Sequence, residues 1–416
     1  MEIVLLLLAI ILFTGLIFGK IIRKFKLPNV TGYLIGGVVF MLIYKLIVKQ
    51  TGCEDYFQKY KEGFELIPTV ALGFIAFSIG TEFKFSYFKQ VGVRPVIIAI
   101  FESLGATVVV LIALLILHFI NPNLISIPAA LMLSAIASAT APAATIMVIK
   151  QYKAKGEVTS ILLSVVALDD AVALMLFGIM FAIANTITSG AGSSVVWSIA
   201  KPLVEVIASL GIGFVFGIII TFLLRWFTGR GNRLCVIIVF VLLMSALETI
   251  ISKTINISIS TLLACMMAGA VFCNTNTEEK VSLVMELIDR FTPPFLIMFF
   301  VISGADLEFS SLSTVGIAGI VYVITRIIGK IAGSSFGAVI THSSKNVCKY
   351  LGLALVPQAG VAIGLSLVAV KALGVGSTDG TTIRTIVLCG TLIYELIGPF
   401  MSKLALKKSG EIQTNE

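Results

Sequence analysis

Thirteen apolar stretches, most of about twenty residues, run through this 416-residue chain, and they fix the solvent in which it folds. A helix of that length matches the hydrocarbon thickness of a bilayer. In lipid a helix satisfies every backbone N–H and C=O within its own segment, which loops and open strands cannot do. The stretches are 3–19, 29–48, 64–80, 93–119, 127–149, 158–185, 202–224, 234–252, 257–273, 282–303, 312–338, 350–372 and 383–404. Composition agrees: 58% of residues are hydrophobic, 12% are charged and the mean hydropathy is +1.07. Soluble domains carry about a quarter charged residues, so too little polar surface remains here to face water. The fold class is an all-α integral membrane protein with about thirteen transmembrane helices.

Charge orients the spans. Lys20, Arg23, Lys24 and Lys26 follow the first apolar run rather than precede it, the reverse of a secretory signal. The first run is therefore a retained span with its N-terminus outside. Thirteen crossings then leave the C-terminus in the cytoplasm, with 20 of the 30 basic residues on the cytoplasmic side and 8 on the outer side. That bias is the positive-inside pattern of a multi-pass cell-membrane protein, and it accounts for the net charge of +8 without nucleic acid as a partner. The six cysteines are scattered without metal-ligand spacing and only His118 and His342 are present, so no resident metal or cofactor is expected.

The chain repeats itself. The third span ends Phe77-Ser-Ile-Gly80-Thr-Glu82-Phe-Lys-Phe85-Ser86 and the tenth Val301-Ile-Ser-Gly304-Ala-Asp306-Leu-Glu-Phe309-Ser310. Gly37, Val39 and Phe40 in the second span match Gly269, Val271 and Phe272 in the ninth. Pro142 in the fifth matches Pro357 in the twelfth, and Asp170 in the sixth falls opposite Glu395 in the thirteenth. Each pair lies seven spans apart, and an odd displacement inverts the copy. Spans 1–6 and 8–13 are thus expected to form inverted-topology repeats around span 7, an arrangement that places substrate near the midplane between the copies.

Two acids sit where acids are expensive. Asp169 and Asp170 lie at the middle of the sixth span, where an aspartate costs about 2.5–3.5 kcal/mol on insertion scales. Neighbours on a helix point about 100° apart, so one can face a cavity while the other meets a partner charge. Carboxylate oxygens bind both Na⁺ and protons, and competition between the two at one site is sufficient chemistry for exchange. Two broken helices are expected beside them. The fifth span holds Ser138-Ala-Thr140-Ala-Pro142 and the twelfth Val356-Pro357-Gln358, and proline interrupts the helical ladder. Freed carbonyls and the oxygens of Ser138, Thr140 and Gln358 complete a candidate ion shell. In the eleventh span Arg326 and Lys330 stand four residues apart on one face, as counter-charges for an empty site. Glu82 and Asp306 sit just past span ends as interface markers. Glu395 either pairs with a base or supports the twelfth-span break, while Glu102, Glu205 and Glu248 have no assigned role.

On Ser138–Thr145, the paired Asp169-Asp170, Arg326–Gly333 and Leu392-Ile-Tyr-Glu395-Leu-Ile-Gly-Pro399, the chain resembles the second monovalent cation–proton antiporter family, and the NapA-type sodium–proton antiporters within it. The resemblance implies a homodimer and a single transporter unit over residues 1–404, followed by a short cytoplasmic tail at 405–416. It implies a core domain of spans 3–6 and 10–13 with two crossed discontinuous helices, and a dimer scaffold of spans 1–2 and 7–9. It implies elevator-type exchange of Na⁺ or Li⁺ for protons in lipid, with Asp170 as the ion- and proton-carrying acid and Asp169 facing span 11. Where some members have a midplane lysine, Arg326 aligns, with Lys330 one turn on; arginine stays protonated and cannot carry a proton.

Two adjacent acids favour electrogenic exchange, about two protons for one cation; K⁺ as substrate or electroneutral exchange is the alternative. An intramembrane aspartyl protease would need its acids on different helices. A channel would show rings of equivalent groups from symmetric subunits. Neither fits, and no enzyme is expected.

Overall fold

The computed structural model describes residues 2–25, 27, 29–51, 54–64, 66–81, 83–84, 92–141, 145–146, 148–149, 152–188, 195–255, 259–307, 312–374 and 377–412. Pro142, Glu82 and the Phe85-Ser86 and Phe309-Ser310 pairs of the repeat lie outside these residues. Among the described residues there is no strand. Apart from the single turns Tyr56–Lys59 and Lys61–Phe64, the helices are α1 (Glu2–Lys24), α2 (Asn29–Thr51), α3 (Leu66–Thr81), α4 (Arg94–Ile120), α5 (Ile127–Ile136), α6 (Glu157–Thr188), α7 (Val195–Trp226) and α8 (Arg230–Ile255). They continue as α9 (Thr261–Thr275), α10 (Glu278–Phe291), α11 (Pro293–Ala305), α12 (Leu312–Ile340), α13 (Lys345–Ala354), α14 (Gly360–Leu373) and α15 (Thr378–Lys408). Among the described residues eight helices are long and apolar enough to cross a membrane, and the bent pair α10–α11 passes that test together.

Three expected spans are not single helices. The fifth and twelfth are broken, as the prolines foretold. Ala141 and Val356 each precede a proline in sequence, and such residues are pushed out of the helical region. The tenth, expected as one span over 282–303, is corrected: the chain bends by 49° between α10 and α11. Pro293 and Pro294 begin the new helix because they cannot continue the old ladder. The α10 half is amphipathic, burying Val284 and Ile288 while Glu278, Glu279 and Arg290 meet solvent.

Serines start several helices. Ser126, Ser260, Ser344 and Ser377 accept backbone N–H groups at the first turns of α5, α9, α13 and α15. The first turn of α6 is held from afar. The Glu411 carboxylate accepts the Val158 and Thr159 amides at 2.7 and 2.8 Å and the Thr159 hydroxyl at 2.7 Å. A negative charge at a helix N-terminus opposes the positive end of its dipole.

Glycines set the closest approaches, and they fall on repeat-related positions. A Cβ at Gly37 on α2 would overlap the Val301 carbonyl of α11, and one at Gly304 on α11 would overlap the Leu34 carbonyl of α2. A Cβ at Gly269 on α9 would overlap the Phe77 carbonyl of α3, and one at Gly80 on α3 the Met266 carbonyl of α9. The repeat carries the second span onto the ninth and the third onto the tenth. The α2–α11 and α3–α9 contacts are therefore one interface built twice. Small residues that bring backbones together are the usual glue between helices in lipid. The longest contact, α4 with α12, joins the fourth span to its own counterpart. Gly329, Gly333 and Gly337 on α12 meet the backbone around Ala106, Glu102 and Ile98.

Because the overlapping atoms belong to the backbone, no side chain can swing away. Gly37→Ala and Gly269→Ala are each expected to cost about 1–3 kcal/mol by overpacking. Gly211→Ala on α7, where nothing lies within 4 Å, is expected to cost none. Thermal unfolding in detergent compares the three.

Candidate ion site

The two breaks meet in the interior. The Ala141 amide donates to the Pro357 carbonyl at 2.9 Å, and Thr145 Oγ1 donates to the Ala354 carbonyl at 3.0 Å, so the two interrupted spans cross and bond at their breaks. The C-terminal ends of α5 and α13 both leave carbonyls without helical partners here, where no water can serve them. Arg326 takes three of them. Its Nε donates to the Ala137 carbonyl at 2.9 Å, Nη2 to Ala139 at 2.7 Å and Nη1 to Val356 at 2.6 Å. Its guanidinium lies 4.4 Å from the Tyr394 ring centroid. The cation also faces the negative poles of two half-helices. Gln358 braces the same crossing, donating to the Ile136 carbonyl at 2.8 Å and pairing with the Tyr322 hydroxyl.

Lys330, one turn beyond Arg326, is fully buried and serves the acids. Its Nζ donates to Asp169 Oδ2 at 2.9 Å and to Thr140 Oγ1 at 2.6 Å, and it contacts the Ser138 carbonyl and Glu102 Oε1 more closely still. Thr140 Oγ1 in turn donates to Asp169 Oδ2, and Ser103 Oγ lies 2.6 Å from Asp169 Oδ1. Asp169 and Glu102 are sealed from solvent, and Asp170 is 5% exposed. Burying such charges is tolerable only when they pair and their remaining hydrogen-bonding positions are filled.

The structure thus brings together Asp169, Thr140, Lys330 and the carbonyl of Ser138, beside the buried Asp170. The expected alignment of Arg326 with the midplane lysine is corrected: Lys330 meets Asp169, while all of Arg326 is committed to carbonyls. The Ser138 hydroxyl turns back to the Ala135 carbonyl at 2.6 Å, so only its backbone oxygen faces the cluster. Gln358 and Pro357 belong to the crossing. Glu395 lies apart, accepting the Thr31 hydroxyl at 3.0 Å, and Asp306 pairs with Arg384 at 2.7 Å. Glu102 and Ser103 had no role in the sequence reading. The signal for Glu102 was present: a lone carboxylate in the span that the repeat sets opposite the two cations.

A cavity of about 440 Å³ opens on the side of α6 away from the C-terminal tail. Phe177, Gly178 and Phe181 of α6 line it, with Leu72, Glu205 and Glu248. Phe177 is seven residues beyond Asp170, or about 10 Å along the helix.

Inverted repeats, two broken helices crossing in mid-membrane and acids buried against a lysine define an integral membrane antiporter. The chain belongs to the sodium/hydrogen exchanger family of transmembrane proteins, which it matches over residues 8–408. Two solved structures of the sodium proton antiporter MjNhaP1 from Methanocaldococcus jannaschii share the fold. The structure at pH 8 superposes with a TM-score of 0.77 at 17% identity, covering 98% of this chain and 99% of that one. An electron-microscopy structure gives 0.67 at 15% identity, with both chains wholly covered. No curated protein matches the chain in sequence.

Replacing Arg326 by glutamine removes the charge and leaves two N–H groups, on a shorter side chain, for three buried carbonyls. The loss is expected to be on the order of 3–5 kcal/mol. Lys59→Gln, which breaks the exposed Lys59–Glu54 pair, is expected to leave the melting temperature almost unchanged. Melting temperatures of the two purified variants check the contrast.

Proposed function

We propose that this protein exchanges Na⁺ or Li⁺ for protons across the cell membrane, with Asp170 and Asp169 as the shared site of cation and proton. The observation that carries the reading is the buried Asp169–Lys330 pair beside Asp170, at the crossing of the two breaks. In the empty site Lys330 neutralises Asp169. An arriving Na⁺ takes oxygen ligands from Asp170, Asp169 and Thr140, and displaces the ammonium from Asp169. A hard cation is served by such oxygens alone. Protons re-entering from the other side restore the pair and release the cation. With about two protons moving for each monovalent cation, the exchange is electrogenic.

Access alternates by an elevator movement of the core (spans 3–6 and 10–13) against a homodimeric scaffold (spans 1–2 and 7–9). Two observations support it. The α2–α11 and α3–α9 glycine contacts both lie on the boundary between these groups, and the cavity between them is lined by α6 of the core together with α7 and α9 of the scaffold. The N-terminus lies outside and the C-terminus in the cytoplasm, on the charge bias described above.

Reconstituted liposomes carrying a pH-sensitive dye test the proposal. Na⁺ or Li⁺, and not K⁺, is expected to dissipate an imposed pH gradient, and clamping the membrane potential is expected to change the rate. A rate indifferent to potential would assign electroneutral exchange, and an equal response to K⁺ would assign the alternative substrate. Asp170→Asn is expected to abolish exchange; full activity in that variant would remove Asp170 from the site.

A further inference from the structure

Glu102 is the one member of the buried cluster that the proposed exchange leaves without a task, and its surroundings give it one. Three elements pack against α4 at this level. From α12 come Lys330, in contact with Glu102, and Arg326, committed to carbonyls; from α6 come Asp169 and Asp170; from the end of α5 come no ionisable groups but the Thr140 hydroxyl. The glycine seam between α4 and α12 fixes the distance, because Gly333 lies directly against the Glu102 backbone.

Ser103 touches both acids, whose carboxylates also lie within hydrogen-bonding reach of each other. Its Oγ is 2.6 Å from Asp169 Oδ1 and 3.3 Å from Glu102 Oε2. A serine hydroxyl has one proton and two lone pairs. The shorter contact takes the proton, which leaves a lone pair facing Glu102 Oε2. Two lone pairs meeting in a dry interior repel, whereas a proton on Glu102 turns the same contact into a hydrogen bond. Charge balance agrees. With Glu102 ionised, Glu102, Asp169 and Lys330 would carry one net negative charge with all three side chains wholly buried. With Glu102 protonated the trio is neutral.

We propose that Glu102 stores one of the exchanged protons and releases it through the Ser103 hydroxyl to Asp169 when a cation enters, which makes Glu102 the second proton carrier. The proposal rests on the reading of Asp169 and Asp170 as the exchange site. The transfer is a relay: Glu102 Oε2 gives its proton to Ser103 Oγ, which gives its own to Asp169 Oδ1, and Asp169 passes it to water ahead of the cation. Glu102, now a carboxylate, keeps the Lys330 ammonium that Asp169 gives up. Lys330 stays charged throughout, swinging between two acids it already touches. The cation site loses one proton from Asp170 and one from Glu102 for each Na⁺ bound, and no lysine proton is involved.

Proton release on adding Na⁺ to the purified, weakly buffered protein counts these protons. The wild type is expected to release two per cation bound, Glu102→Gln one, and Glu102→Asp two. In liposomes Glu102→Gln is expected to exchange electroneutrally, indifferent to a clamped potential. Two protons released by a folded Glu102→Gln protein, still driven by potential, would overturn the proposal. Ser103→Ala provides a second test and keeps every charge in place: release is expected to slow by at least about tenfold with its total unchanged, and an unchanged rate would overturn the relay. A wild type that releases no proton with Na⁺, or an Asp170→Asn variant that exchanges fully, would instead overturn the underlying site reading.

Discussion

Two helices that stop in the middle of a membrane are the physical problem around which this protein is built. Each break exposes carbonyls at the C-terminal end of a half-helix, in a place where lipid and packed side chains exclude water. The fork of Arg326 answers most of that need, joining Ala137 and Ala139 of one break to Val356 of the other. Lysine, a point charge on a flexible stem, could not take three carbonyls in fixed directions. Once Arg326 has closed the crossing, Lys330 is free for the acids. Structure and chemistry are thus divided between two cations one helical turn apart.

That division is what the proposed exchange at the acids requires. A carboxylate that also held the fold together could not change partner without loosening the crossing. Asp169 is relieved of that duty, since its contacts with Lys330, Thr140 and Ser103 are to side chains that have alternatives nearby. The backbone around them is held by glycine contacts and by the Ala141–Pro357 bond, none of which depends on the charge state of the cluster.

Much of this was legible in the sequence because it follows from local rules. Apolar runs locate helices, prolines locate breaks, and costly residues in lipid advertise a site. The inverted repeat was legible in Gly37, Gly269, Gly80 and Gly304, whose reason for matching is that the same backbone contact is made twice. What was not legible needed three dimensions. The sequence placed Arg326 nearer mid-span than Lys330 and left open which of the two meets the aspartates. Only the path of the broken chains shows that carbonyls reach Arg326 first. Glu102 stayed unassigned because the repeat pairs its span with α12 without fixing which residues face each other. The bend at Thr292 was missed because hydropathy averages over it, although Pro293-Pro294 stood in plain view.

The seam between α4 and α12 has a consequence of its own. These two helices are counterparts in the repeat, so the pseudo-twofold axis runs between them. Had the protein been assembled from two identical subunits, each residue beside that axis would face its own copy. A lysine would meet a lysine and a glutamate a glutamate, and in lipid either encounter would be ruinous. With both copies fused into one chain, the sequences could part company: one helix keeps an acid, the other two bases. Carrying both copies in one chain is a licence for asymmetry, and the asymmetry is electrical.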